Sequence, residues 1–256
     1  NTANPQWTIP NEALGATVRI RIEHPSDAAV SSTSIYTFKV KGDFTNIRFA
    51  DDLTEVEVGA NPEILWNAVG PVAKVHIRYF KNNWENITNI TDPATPTNNT
   101  GSFTSWIVPD DITTAGICKV VIIDSTDSSV SNTSSVAFKI KGKFNITSPA
   151  GGTWIVGETQ PITWSTNGNI STVNLHYSKD GISWYEFPGG SLGVPITPNG
   201  TTGVNIIVPD AITNTFRIRV QSQSDTTVSK TSSLLAVKGK IEVIVPVADE
   251  RWQVGD

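Results

Sequence analysis

A repeat of about 98 residues is the feature that most constrains how this 256-residue chain folds. Gly42 and Gly142 stand 100 residues apart in matching strings, and Trp66 and Trp164 stand 98 apart in another pair. Chance similarity would not hold one period across several independent strings, so the chain consists of copies of one structural unit. The matching strings are FKVKGDF, FKIKGKF and LAVKGKI (Phe38–Phe44, Phe138–Phe144, Leu235–Ile241); EILWNAVG and PITWSTNG (Glu63–Gly70, Pro161–Gly168); IRYFKNNW and LHYSKDGISW (Ile77–Trp84, Leu175–Trp184); and WTIPN, WIVPD and IIVPD (Trp7–Asn11, Trp106–Asp110, Ile206–Asp210).

The strings also divide the chain. Residues 1–42 carry the closing strands of an incomplete repeat, 43–142 and 143–239 are two complete repeats, and 240–256 open a further incomplete one. No Pro- or Ser-rich linker separates the repeats, so the last strand of one is expected to run directly into the first strand of the next. We therefore expect stiff rods of stacked domains, excerpted from a longer mature protein.

Within each repeat the hydrophobic period is two. Apolar and basic residues alternate over 18–22, which predicts a half-buried strand, and the runs 118–122 and 216–220 keep the same inward set. Asn-Gly and Asp-Gly pairs supply turns between short strands, and no segment has helical periodicity. About seven short strands per repeat predict an all-β fold of tandem immunoglobulin-like Greek-key β-sandwich domains.

At its anchor strings the chain resembles a known family. PAGGTWIVGE at 149–158, ITW at 162–164, WIVPD at 106–110 and a closing S-x-S-D turn at 222–225 are similar to the Ig-like domain at the N-terminus of yeast cell-wall-synthesis proteins. Similar repeats occur in very large bacterial and archaeal surface proteins, including S-layer, adhesin and biofilm-matrix proteins. The resemblance implies an Ig-like fold and an extracellular or cell-surface location.

Composition argues against several classes of function. The net charge of -5 and the pI near 5.2 disfavour nucleic acid and anionic membrane surfaces as partners. No apolar run approaches the roughly 18 residues that a spanning helix needs, so membrane insertion is not expected. The single cysteine excludes an internal disulfide and a cysteine zinc cluster.

The sequence offers little for catalysis. His76 and His176 alternate with apolar neighbours and are expected on strand surfaces, while Cys118 matches Val18 and Phe216 and is expected in the core. No nucleophile elbow, phosphate loop or zinc-protease string is present. We therefore expect a chain that is not an enzyme.

The eight tryptophans raise the question of sugar binding. Trp66, Trp164 and Trp106 lie in apolar strand contexts and are expected in the cores of their sandwiches. The others follow hairpin turns or precede V-G turns, and one or two of them are expected to be exposed enough to contact a glycan: Trp84, Trp184, Trp154 and Trp252.

Acidic loops supply a metal hypothesis. Stacking the domains head to tail would bring the V-P-D loop of one repeat toward the loop between the last two strands of the next. Carboxylates on flexible loops suit Ca²⁺, whereas the alternative is that these aspartates only cap turns. The calcium candidates are Asp43, Asp124 and Asp127 at the first junction, and Asp110, Asp111 and Asp225 at the second.

Three functions remain open. The first is a structural segment of an extracellular surface-layer or biofilm-matrix scaffold that self-associates or contacts neighbouring repeats through sheet edges. The second is a carbohydrate-binding or adhesin module with an extracellular polysaccharide as partner, and the third is a passive spacer of a secreted multidomain enzyme. Seven N-x-S/T sequons show only that the surface would tolerate glycosylation: Asn86, Asn89, Asn98, Asn132, Asn145, Asn169 and Asn199.

Overall fold

The structure is a computed structural model that describes residues 8–9, 17–82, 84–245, 248–249 and 251–255. Within these residues the runs with a hydrophobic period of two form β-strands. These residues contain one 3-10 turn, Ala50–Asp52, and no α-helix, hence no helix long and apolar enough to cross a membrane. The chain forms two compact units, Asn1–Ile140 and Lys141–Asp256. The predicted four-part division at residues 42, 142 and 239 stays a prediction, and the string Trp7–Asn11 lies largely outside the described residues.

The first unit begins with two small hairpin sheets and continues into a sandwich. Its opening strands are β1 (Thr17–Val18), β2 (Arg21–His24), β3 (Asp27–Thr33) and β4 (Phe38–Lys39). The sandwich strands are β5 (Asp43–Phe49), β6 (Glu55–Glu57), β7 (Ile64–Val69), β8 (Lys74–Lys81), β9 (Glu85–Asn89), β10 (Thr97–Asn98), β11 (Ser102–Phe103), β12 (Cys118–Asp124), β13 (Ser131–Thr133) and β14 (Lys139–Lys141).

Two sheets face each other in this sandwich. One has the order β11-β7-β5, and the other has the order β10-β8-β12-β13 with β9 also paired to β8. The chain passes between sheets from β7 to β8 and again from β11 to β12, so sequence neighbours are not always sheet neighbours. Strand β14 pairs with β6, and the bridge between Cys118 and Phe138 joins the final segment to β12. This is the immunoglobulin-like arrangement that the sequence predicts.

Aromatic rings fill the space between the two sheets. Trp66, Trp106 and Phe138 are 3%, 4% and 2% exposed, and Phe49 stacks on Trp106 with ring centroids 5.9 Å apart. The indole Nε1 of Trp66 donates to Asn99 Oδ1 at 2.7 Å, so this large side chain is buried without leaving its N–H unpaired. The predicted core positions of Trp66 and Trp106 are confirmed.

The second unit repeats the same plan. Its strands are β15 (Lys143–Ser148), β16 (Thr153–Ile155), β17 (Thr159–Asn167), β18 (Thr172–Ser178), β19 (Tyr185–Glu186), β20 (Val194–Pro195), β21 (Thr201–Ile207), β22 (Thr213–Ser222), β23 (Ser229–Thr231) and β24 (Leu235–Lys238). One sheet has the order β15-β17-β21, and the other has the order β16-β24-β22-β18-β19, with β20 on β18 and β23 on β22. Trp164 is fully buried at its centre, as predicted. The fold class, all-β tandem immunoglobulin-like β-sandwiches, is confirmed.

The run 18–22 differs from its prediction as a half-buried strand. It divides between β1 and β2, and its residues Ile20 and Ile22 are 47% and 74% exposed. The matching Val120 and Ile122 are buried because a second sheet covers them. Within the described residues β2 pairs only with β3, so the same alternation has no apolar surface to pack against.

A serine hydroxyl satisfies main-chain groups at the same place in each repeat, and this serine is buried in both sandwiches. After the hairpin that precedes the final strand, its hydroxyl accepts a hydrogen bond from a main-chain N–H of the facing strand. The hydroxyl also donates to a nearby carbonyl, so both main-chain groups are satisfied where regular pairing ends. The three pairs are Ser34 with Ile20 N at 3.2 Å, Ser134 with Val120 N at 3.2 Å, and Ser232 with Ile218 N at 3.0 Å.

Replacing Ser134 with alanine is expected to destabilise the first unit by about 1–3 kcal/mol, because the buried Val120 N–H loses its acceptor. Urea unfolding of the chain, followed by a probe in that unit, measures the loss. Ser135→Ala is the matched control, since Ser135 is exposed and adjacent. Equal unfolding midpoints for the two variants would contradict this role of the hydroxyl.

Candidate functional site: the junction before the first sandwich

The segment Lys39–Gly42 connects the opening hairpins to the first sandwich and lies against two of its loops. A cleft of about 340 Å³ separates the segment from them. Its walls come from the turn after β7, represented by Pro71 and Val72, and from the β12–β13 loop. The cleft lies within the first unit, and two of the calcium candidates, Asp124 and Asp127, line it.

Two lysines of the segment bond to the β12–β13 loop. Lys39 Nζ lies 2.6 Å from Asp127 Oδ2, and Lys41 Nζ donates to Ser129 Oγ at 2.6 Å. Asp127 Oδ1 accepts hydrogen bonds from the main-chain N–H and the hydroxyl of Ser129. The hydrogen bond from Lys39, followed by those from Ser129, holds the pKa of the Asp127 carboxyl well below its usual range.

Glycine is required at the junction because of a close approach to main chain. A methyl group added at Gly42 would lie 2.8 Å from the carbonyl oxygen of Val69 and 3.3 Å from Val72. In the second unit a methyl group at Gly142 would lie 3.0 Å from the carbonyl oxygen of Asn167 and 2.6 Å from Ile170. The recurring glycine therefore has the same steric cause in both repeats. Its main chain lies against the turn that follows β7 in the first unit and β17 in the second.

The other two aspartates of the first junction have local partners. Asp43 Oδ1 accepts from Phe44 N at 2.8 Å, while Asn132 Nδ2 donates to the carbonyl of Phe44 at 2.7 Å and ties β13 to β5. Asp124 Oδ1 accepts from the N–H and hydroxyl of Thr126, both at 2.8 Å. The Asp124 contacts are turn capping of the kind that the alternative interpretation described, whereas Asp43 bonds within its own strand.

The aspartates assigned to the second junction lie in different units, and each is described in its own. Asp111 accepts from the Tyr79 hydroxyl at 2.8 Å and pairs with Lys81. Burial, followed by the hydrogen bond to Asp111, raises the pKa of Tyr79 far above its usual value. Asp110 is exposed, and Asp225 Oδ1 caps a turn by accepting from Thr227 N at 3.1 Å.

The calcium prediction stays a prediction. Within the described ranges, no three His, Cys, Asp or Glu side chains form a group that would hold a metal ion. At the first junction the Lys39 ammonium already supplies a positive charge to Asp127. The carboxylate oxygens of Asp127 therefore already accept hydrogen bonds from protein groups.

The remaining predicted residues fall mostly where the sequence places them. Cys118 is fully buried, and burial raises the pKa of its thiol to about 11, which confirms its core assignment. His176 is half-buried on the outer sheet face, and burial lowers its pKa. Among the four turn tryptophans, Trp84 and Trp252 are 50% and 65% exposed, Trp184 is half-buried, and Trp154 is buried.

Sequence reasoning did not identify Lys39 and Lys41 as functional residues. A signal was present, because lysines recur before the junction glycine at 139 and 141, and an aspartate recurs in the facing loop at 27, 127 and 225. By itself, a lysine before a glycine indicates only a turn, and the partner of Lys39 lies 88 residues away in the sequence.

Comparisons with known proteins give a fold-level likeness. No family model matches the chain, and no curated protein matches it in sequence. A chimeric titin Z1Z2 tandem is 12% identical, covering 78% of this chain and 100% of that one, with a TM-score of 0.27. Domains 4 and 5 of the S-layer protein SbsC are 13% identical, covering 76% and 98%, with a TM-score of 0.25. The fold class accordingly rests on the strand order within each unit.

Lys39→Gln is expected to raise the pKa of Asp127 toward the usual aspartate value of about 3.9, because its strongest donor is removed. The folded pKa is depressed, so the stabilisation is complete above about pH 4 and is lost as the pH falls through the folded pKa. The carboxyl ¹³C chemical shift of Asp127, followed during a pH titration, measures this pKa. Lys41→Gln removes a positive charge beside Ser129 and should change the pKa of Asp127 much less. Equal changes of this pKa in the two variants would contradict the pairing of Lys39 with Asp127.

Gly42→Ala is expected to destabilise the first unit by about 1–3 kcal/mol, because overpacking against the Val69 carbonyl must move main chain. This exceeds the gain of about 0.4–1 kcal/mol from restricting the unfolded chain. Gly116→Ala is the control, since a methyl group there lies 3.8 Å from its nearest neighbour. Chemical denaturation distinguishes them, and a neutral Gly42→Ala would contradict the steric role.

Proposed function

We propose that this chain is a structural, non-catalytic segment of a large extracellular surface-layer or biofilm-matrix scaffold. The resemblance to the Ig-like domain of yeast cell-wall-synthesis proteins belongs to the same proposal. The observation that carries it is a recurring close contact: a glycine packs its main chain against a turn at Gly42 and again at Gly142. Because this packing contact recurs with the repeat, it favours a structural role that is the same for every domain.

Lysine contacts support stiffness at the first junction. Lys39 and Lys41 connect the segment to the β12–β13 loop at two points, and Gly42 fixes a third against the β7–β8 turn. Three contacts over four residues restrict bending more than a covalent linker alone would. An array that bears load or keeps a fixed spacing needs this property.

The edge strand β21 supports self-association of the scaffold. Its seven residues, TTGVNII, contain no charge and no proline, and within the described residues it pairs on one side only, with β17. Charged or proline residues normally protect such edges from pairing with another chain. We propose that β21 joins a second copy of the chain by edge-to-edge hydrogen bonding.

Asn205→Lys tests this edge, because a lysine on an exposed strand edge opposes pairing. Sedimentation velocity of the chain at increasing concentration should show association in the wild type and a shift to monomer in Asn205→Lys. The matched control is Asn145→Lys on β15, the other edge of the same sheet, which should associate as the wild type does. A monomeric wild type at millimolar concentration would overturn self-association.

Calcium binding at the junction is tested separately by thermal unfolding. If the junction aspartates bind it, millimolar Ca²⁺ should raise the melting temperature and EDTA should lower it, since a ligand that binds only the folded state stabilises it. Identical melting curves would remove calcium from the proposal and leave the scaffold role in place.

A further inference from the structure

The free edge of β21 in the second unit has no counterpart of equal length in the first. Within the described residues β21 pairs only with β17 and has seven residues, whereas β11, at the equivalent edge of the first sandwich, has two. Very short edge strands are one means by which proteins prevent pairing with another chain. The first sandwich has this protection and the second does not, so the edge of β21 needs an explanation of its own.

The main-chain groups at this edge follow from the pairing of β21 with β17. Thr166 N donates to the Gly200 carbonyl and Val208 N donates to the Glu158 carbonyl, both at 2.9 Å. In an antiparallel pair, residues that exchange hydrogen bonds alternate with residues whose N–H and C=O groups point away. Since Gly200 and Val208 both have even numbers, the odd-numbered residues between them present their main-chain groups to the free edge: Thr201, Gly203, Asn205 and Ile207.

The side chains at this edge do not oppose the approach of a second strand. The four edge residues are exposed, and neither β21 nor its neighbour β17 contains a charged residue. Most residues of β21 are β-branched, which favours the strand conformation. Residues 141–256 contain 9 Lys and Arg against 9 Asp and Glu, so the second unit has no net charge that would repel a copy of itself.

We propose that β21 pairs with β21 of a second copy of the chain about a two-fold axis at Val204, forming a closed dimer. This inference rests on the self-association proposed above and specifies its partner strand, register and symmetry. When Thr201 lies opposite Ile207 of the second copy and Gly203 lies opposite Asn205, all the edge residues of both copies meet in hydrogen-bonded pairs. Every free main-chain group of the edge is then satisfied, and no other antiparallel register of two β21 strands achieves this.

The two-fold axis determines how far the assembly extends. Val204 meets Val204 of the second copy as a non-hydrogen-bonded pair, the kind in which opposite side chains lie closest. Each copy covers the β21 edge of the other, so the pairing ends at two chains, whereas a contact between two different edges would continue into a filament. The dimer contains one continuous sheet with the order β15-β17-β21-β21-β17-β15. In the proposed scaffold this sheet joins two neighbouring arrays.

Disulfide formation between single cysteines in the full chain tests this register. Val204→Cys should give a disulfide-linked dimer on mild oxidation, because the axis brings the two Cα atoms to about 4.5 Å, within the span of a disulfide. Thr202→Cys is the matched control, since Thr202 is half-buried on the same face but its two Cα atoms would stand roughly 14 Å apart. The native Cys118 is fully buried and does not compete. Non-reducing gel electrophoresis measures the dimer, and melting curves in reducing buffer verify that both variants fold.

Amide hydrogen exchange of the wild type gives a second readout that needs no substitution. Raising the protein concentration should slow exchange at the four edge residues, because their N–H groups become bonded only in the dimer. The N–H of Val204 is already bonded to β17, so its exchange at low concentration should be slow and should change much less. Exchange that does not depend on concentration at the edge residues of an associating wild type would contradict the pairing.

Sedimentation velocity separates a failure of this register from a failure of self-association itself. A wild-type mass that stops at two chains supports the closed dimer. Three results would overturn the inference while leaving self-association in place: assemblies that keep growing beyond two chains, equal cross-linking of Thr202→Cys and Val204→Cys, or an associating Val204→Cys that does not cross-link. A wild type that stays monomeric would overturn both.

Discussion

Apolar burial between two narrow sheets is the constraint on which the rest of this structure depends. Neither sandwich has a disulfide, because the single cysteine of the chain, Cys118, is a buried side chain of the first core. Large aromatic side chains are buried in both cores, with Trp66 and Trp164 at equivalent places in the two units. Burying them requires that polar main-chain groups at the sheet margins be satisfied, and the recurring serine hydroxyls perform that task.

The junction follows from the same packing. The segment between β4 and β5 passes so close to the turn after β7 that a methyl group at Gly42 would lie 2.8 Å from the carbonyl oxygen of Val69. The flanking lysines then lie within reach of Asp127 and Ser129. Steric contact at the glycine determines the course of the main chain, and the lysine contacts add to it. A secondary contribution is expected from exposed ion pairs, which are of modest strength.

Comparison of equivalent positions separates the features that both sandwiches share from those that only one of them has. The serine hydroxyl, the junction glycine and the central tryptophan occur in both complete sandwiches. The pair of Arg219 and Trp184 occurs in one, on a hairpin that differs by two residues in length.

The sequence by itself determined the fold class and the core positions of Trp66, Trp164 and Cys118, because hydrophobic period and repeat spacing are properties of the chain alone. It did not determine the exposure of Ile20 and Ile22, since alternation predicts a buried face only where a second sheet supplies the cover. Tertiary structure also decided that Asp127 meets Lys39 and that Trp184 covers Arg219. Both contacts depend on which loops and strands the fold brings together, and no local pattern encodes a partner 88 residues away.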